Sequence, residues 1–110
     1  MMRAARLRRS RDIATVRASG RALRRSAFVA RVLPRDGAAT RIAFVASRSI
    51  GGAVVRNRAR RRVREAFRRQ LATSDAHGLD ILVTVRPEAV AAPFGTLVAD
   101  AGSLLREAAR

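Results

Sequence analysis

The 110-residue chain is long enough for one compact domain built around one modest core, here expected to span residues 1–110. It carries 24 basic residues, all arginine, against 8 acidic ones, for a net charge of +16. The absence of cysteine excludes disulfides, thiolate catalysis and Cys-based zinc sites, and no apolar run nears the ~20 residues that cross a bilayer.

In chain order, a basic stretch from Met1 to Arg11 lacks the apolar segment a signal peptide needs, so a cytoplasmic protein is expected. Asp12 to Ser19 reads as a short helix, with Ser10 as its N-cap, Gly20 as its terminator, and Ile13 and Val16 on one side. Ala27 to Leu33 reads as a strand with Phe28, Ala30 and Val32 on one face and Val29, Arg31 and Leu33 on the other. Turn chemistry at Pro34-Arg35-Asp36-Gly37 leads into a second strand, Thr40 to Ser47, and so short a connection predicts an antiparallel pair.

Ser49-Ile50-Gly51-Gly52 breaks the pattern, and from Ala53 to about Thr73 the spacing turns helical. Ser74 to Gly78 is a loop, Leu79 to Val85 a third strand ended by Arg86-Pro87, and Phe94 to Ala108 an amphipathic helix weakened by Gly95 and Gly102. Helices interleaved with strands in this order fit a two-layer α+β sandwich.

The chemistry lies between Arg56 and Arg69, where eight of fourteen residues are arginine. At 100° per residue, Val55, Ala59, Val63, Ala66, Phe67 and Leu71 share one arc. Asn57, Arg61, Arg64 and Arg68 form a ridge elsewhere, with Arg58, Arg62, Glu65 and Arg69 beside it. Arg56 and Arg60 fall at the border of the apolar arc, where Arg60 can snorkel and both can point into a groove. A solvated helix face normally mixes both signs, and here one Glu65 stands among eight arginines. A polyanion is therefore the expected partner, since neutralised phosphates release counterions and guanidinium forks suit them. An acidic membrane surface or acidic protein is the weaker reading of the charge.

No residue pattern suggests catalysis by the protein. His77 and Asp75 are too few for a metal site, the acidic residues are scattered, and Ser47, Ser49 and Thr84 have no base beside them in sequence.

The run Ser49-Ile50-Gly51-Gly52-Ala53-Val54-Val55-Arg56-Asn57-Arg58, continuing through Arg64-Glu65-Ala66-Phe67, resembles the signature of the bacterial ribonuclease P protein family. Leu7, Asp12, Gly20 and Phe28-Val29 resemble its N-terminal landmarks; Asp80, Ile81 to Val85, Arg86-Pro87 and Leu104-Leu105 resemble its C-terminal ones. The resemblance implies an αβββαβα sandwich with a left-handed βαβ crossover, and a short extra strand near Arg21 to Leu23. It implies a monomeric subunit, one per ribonuclease P RNA, assisting endonucleolytic tRNA processing, with no membrane or DNA partner. Arg56, Asn57, Arg58, Arg60, Arg61, Arg64 and Arg68 would contact that RNA. The single-stranded 5′ leader of precursor tRNA would lie in a cleft between the arginine helix and the sheet, near Ile13, Arg17, Phe28, Arg31 and Arg48. The cleft departs from the family, which places aromatic side chains where this chain has Ile13, Arg17 and Arg31. Mg²⁺ is expected at the RNA's active site and none on the protein. A ribosomal-type RNA-binding protein without an associated nuclease is the alternative; a protein reading DNA with the arginine helix is a more distant one.

Overall fold

The computed structural model describes residues 5–37, 39–74 and 76–110. Asp75 and the first four residues of the basic N-terminal stretch lie outside them. The elements are β1 (Ala5–Arg6), α1 (Ser10–Ser19), β2 (Arg21–Arg24), β3 (Phe28–Pro34), β4 (Arg41–Ala46), α2 (Ala53–Leu71), β5 (Leu79–Val85) and α3 (Phe94–Ala108). Short 3₁₀ turns at Arg48–Ile50 and Pro87–Ala89 follow β4 and β5.

Five strands form one sheet in the order β1-β4-β5-β3-β2. β3 and β4 are therefore not the paired neighbours that their short connection predicts. β5 lies between them, antiparallel to β3 and parallel to β4. The physical reason is its composition: six of its seven residues are buried, as suits a strand covered on both faces. β4–α2–β5 is thus a crossover between adjacent parallel strands. The extra strand near Arg21 is present as β2, antiparallel to β3, and the two-residue β1 adds a parallel edge beside β4 that periodicity could not signal.

Alternation along the strands divides the core. Phe28, Ala30, Val32, Ile42, Ile81 and Val83 meet Val63 and Phe67 of α2 and Leu97, Ala101, Leu104 and Leu105 of α3. Phe67 stands edge-on to Phe28 at 5.2 Å and to Phe44 at 5.5 Å between ring centroids. On the opposite sheet face, Val16 and Ile13 of α1 join Leu7, Leu33, Ala43, Val45 and Leu82 in a smaller cluster. α1 covers only part of that face.

Helix α1 begins two residues earlier than its periodicity predicts. Ser10 is its first residue and not its cap; Arg9 holds the cap position with extended backbone and no side-chain bond. Gly20 does end the helix, through close packing: a Cβ there would lie 2.5 Å from the Val16 carbonyl oxygen. Below α1, Asp80 is buried in β5 and accepts hydrogen bonds from Arg41 (2.8 and 2.6 Å) and Arg35 (2.9 Å). Arg41 also reaches Asp12 of α1 at 3.3 Å, so one carboxylate-arginine network ties α1 to the sheet.

Candidate nucleic-acid interface

Helix α2 starts after a turn in which Gly51 has φ +143°, a backbone conformation L side chains rarely adopt. That turn aims the helix across the sheet. Ala59, Val63, Ala66, Phe67 and Leu71 are buried as the apolar arc predicts. Val55 departs from it: in the first turn of α2 both Val54 and Val55 are exposed.

The arginines of α2 fall into three groups. Arg58, Arg61 and Arg64 are exposed, and none is within ion-pair reach of a described carboxylate. Arg61 Nε leans back on the Asn57 carbonyl at 3.4 Å, leaving its terminal nitrogens outward. Arg68 is exposed but gives two hydrogen bonds to Glu65, at 2.8 and 2.5 Å, and Arg69 a third. These bonds, Arg68's first, hold the Glu65 carboxyl down from 4.5 to about 2. Arg68 therefore presents a neutralised pair where the ridge predicts a bare cation, because i, i+3 spacing puts it against Glu65. Arg69 also lies over the Phe94 ring at 4.9 Å.

The third group turns inward. Arg60 is half-buried; its Nη2 donates to Asn57 Oδ1 at 2.8 Å while its Nε is buried without an acceptor. Arg56 is half-buried as well. Arg62, which the helical projection sets beside the basic ridge, is also half-buried and donates to carbonyls of the segment after β5. Asn57 is exposed, yet its carbonyl groups serve Arg60 and Arg61.

The expected cleft needs one correction of place and one of membership. Val63 and Phe67 are fully buried against the sheet, so α2 closes onto it along its middle. The open surface lies on the other face, beside α1. Along α1 itself, Ile13 and Arg17 line a shallow hollow of about 450 Å³ with Ser10, Ala14 and Ala18. Arg31, on the same sheet face, is half-buried and donates from Nη1 to the Gly20 carbonyl at 3.2 Å. Phe28 is not part of this surface: it points to the other face, has no exposed area and packs on Phe67. A nucleotide base cannot stack on it.

A second hollow, about 690 Å³, opens at the C-terminal ends of β4 and β5. Ser47, Ser49, Thr84, Arg86, Pro87 and Glu88 line it; Arg48, between the two serines in sequence, is exposed but is not part of the lining. Arg86 is exposed there, with only a 3.7 Å contact to Glu88. Arg86-Pro87 reads in sequence as a strand terminator; the parallel pairing of β4 with β5, which ends at Ala46 and Val85 and so sets Arg86 beside the Ser47 to Ser49 segment, is a long-range fact. Among the described residues, no three His, Cys, Asp or Glu side chains group to hold a metal ion. No helix among them is long and apolar enough to cross a membrane.

The chain thus combines an arginine-faced helix with a partly open sheet face, and comparison with known proteins gives this pairing a family. The family model for Ribonuclease P matches residues 1–109. A ribonuclease P protein component from Chloroflexus aurantiacus is 47% identical over 109 residues, covering 98% of this chain and 80% of that one. The structure of the ribonuclease P protein from Thermotoga maritima superposes with a TM-score of 0.81 at 30% identity, covering 93% of this chain and 96% of that one. That of Staphylococcus aureus, at 23% identity, shares the fold with a TM-score of 0.78 over 96% of each chain. The chain belongs to the ribonuclease P protein family, as the protein component that partners ribonuclease P RNA in tRNA processing.

Proposed function

We propose that this protein component works as an electrostatic and positional partner: α2 docks on ribonuclease P RNA, the RNA cuts, and the open sheet face beside α1 holds the 5′ leader of precursor tRNA. The observation that carries this reading is the exposed row Arg58, Arg61 and Arg64, unmatched by a described carboxylate and backed by the buried Val63-Phe67 side. A cationic face fixed to a packed core neutralises phosphates without having to order itself first.

The leader reading assigns Ile13, Arg17 and Arg31 to the strand's path, with Arg48 and Arg86 at its far end. With Phe28 in the core, contact there is apolar at Ile13 and through guanidinium stacking or charge at the arginines. A leader held in this way favours precursor over product, which has none. Mg²⁺ belongs to the RNA's active site. Of the described carboxylates, Asp80 is engaged by Arg35 and Arg41, and Asp12 by Arg41. We assign the subunit a 1:1 stoichiometry with the RNA and a place in the cytoplasm.

Reconstitution tests the reading. Adding the chain to a bacterial ribonuclease P RNA at low Mg²⁺ is expected to restore 5′ cleavage of precursor tRNA, while the chain alone cleaves nothing. Absence of stimulation, or cleavage by the protein alone, would reject it.

A further inference from the structure

Arg62 stands among the arginines of the basic helix, yet its guanidinium is committed elsewhere. Nη1 donates to the Ala89 carbonyl at 2.6 Å and to the Val90 carbonyl at 3.2 Å, and Nη2 to the Ala92 carbonyl at 2.6 Å. These oxygens are ones the short 3₁₀ turn leaves over. The carbonyls of Arg86, Pro87 and Glu88 already accept from the amides of Ala89, Val90 and Ala92. A turn this short cannot use its later carbonyls internally, and each would otherwise need water. The planar fork of arginine reaches the three from two separated nitrogens, whereas an ammonium group offers its three donors from a single point.

The clamped segment carries something useful. It begins at Arg86, whose exposed side chain lines the hollow with Ser47, Ser49 and Thr84. Its backbone is joined to Ala27, the residue before β3, by the Arg86 amide donating to the Ala27 carbonyl at 2.9 Å, and to α2 through Arg62.

We infer that Arg62 is a positioning residue: it holds the 86–92 turn against α2, instead of meeting RNA, and so presents Arg86 to the substrate strand. The inference rests on the reading that this face receives single-stranded RNA, and its test separates the two. In the free protein, backbone amide hydrogen exchange across 88–92 is expected to quicken about tenfold or more in both Arg62→Ala and Arg62→Lys. Unchanged exchange in either variant would overturn the clamp. In the reconstituted holoenzyme, Arg62→Ala is expected to raise KM for leader-bearing precursor roughly three- to tenfold with kcat nearly unchanged, and to add little in an Arg86→Ala background. The salt dependence of binding to ribonuclease P RNA should stay as in wild type. A full KM effect without Arg86, or a salt slope lower by about one phosphate's worth, would make Arg62 an RNA ligand and overturn the proposal. Failure of the wild-type chain to stimulate the RNA would strike the functional reading alone, leaving the exchange result to decide the clamp.

Discussion

Arg41 on β4 grips both carboxylate oxygens of Asp80 on the neighbouring β5, at 2.8 and 2.6 Å, beneath helix α1. Burial alone would raise the Asp80 carboxyl, but the hydrogen bonds from Arg41 and Arg35 outweigh it and hold it below 3.8. A carboxyl depressed on folding adds stability that is complete above its unfolded value and is lost as pH falls through the folded one. Acid unfolding is therefore expected to begin below about pH 4. Asp80→Asn should cost roughly 2–4 kcal/mol at neutral pH, since the arginines keep some access to water, and should flatten the acid limb. Thermal melts against pH check both.

Phe28 and Arg31 sit three residues apart on opposite faces of β3, so their variants should fail differently. Phe28→Leu is expected to lose roughly 1–3 kcal/mol of stability, from packing on Phe67, with precursor-over-product preference intact. Arg31→Ala should leave the melting temperature nearly unchanged and reduce that preference. Paired melts and competition binding with leader-bearing and leaderless tRNA read out the contrast.

Glu65 pairs with both Arg68 and Arg69 on the otherwise cationic side of α2, cancelling one of their two charges. Glu65→Gln is expected to free both guanidinium groups, tighten binding to ribonuclease P RNA at low salt, and steepen its salt dependence by about one phosphate contact or more. Titrations of binding against salt would show it.

The two glycines of α3 should respond oppositely to alanine. A Cβ at Gly95 meets nothing within 4 Å, so Gly95→Ala should stabilise the protein by up to about 1 kcal/mol. At Gly102 it would press on the Gln70 amide at 2.7–2.9 Å, which is held by its bond to the Val98 carbonyl. Gly102→Ala should destabilise, as denaturant melts of both variants would show.

What could be read from residues alone follows the range of the interactions involved. The arginine helix was legible because its buried side recurs within one element, at Ala59, Val63, Ala66, Phe67 and Leu71. The face of Phe28 was legible too, from its alternation with Ala30 and Val32; its assignment to the cleft set that parity aside. Strand order was not, because β5 slots between β3 and β4 through pairings more than thirty residues apart. Nor was the fate of Arg62, whose acceptors lie 27 to 30 residues along the chain. Arg68 could have been foreseen from its spacing to Glu65.

The central claim is that α2 grips phosphates through Arg58, Arg61 and Arg64. It is tested most directly by the slope of log K against log salt for ribonuclease P RNA, comparing the chain with its Arg58→Ala/Arg61→Ala/Arg64→Ala variant, once a melt shows the variant folded. The expected result is a slope shallower by about two to three units, with affinity lost most steeply at low salt. A variant that keeps the wild-type slope and affinity would contradict the account.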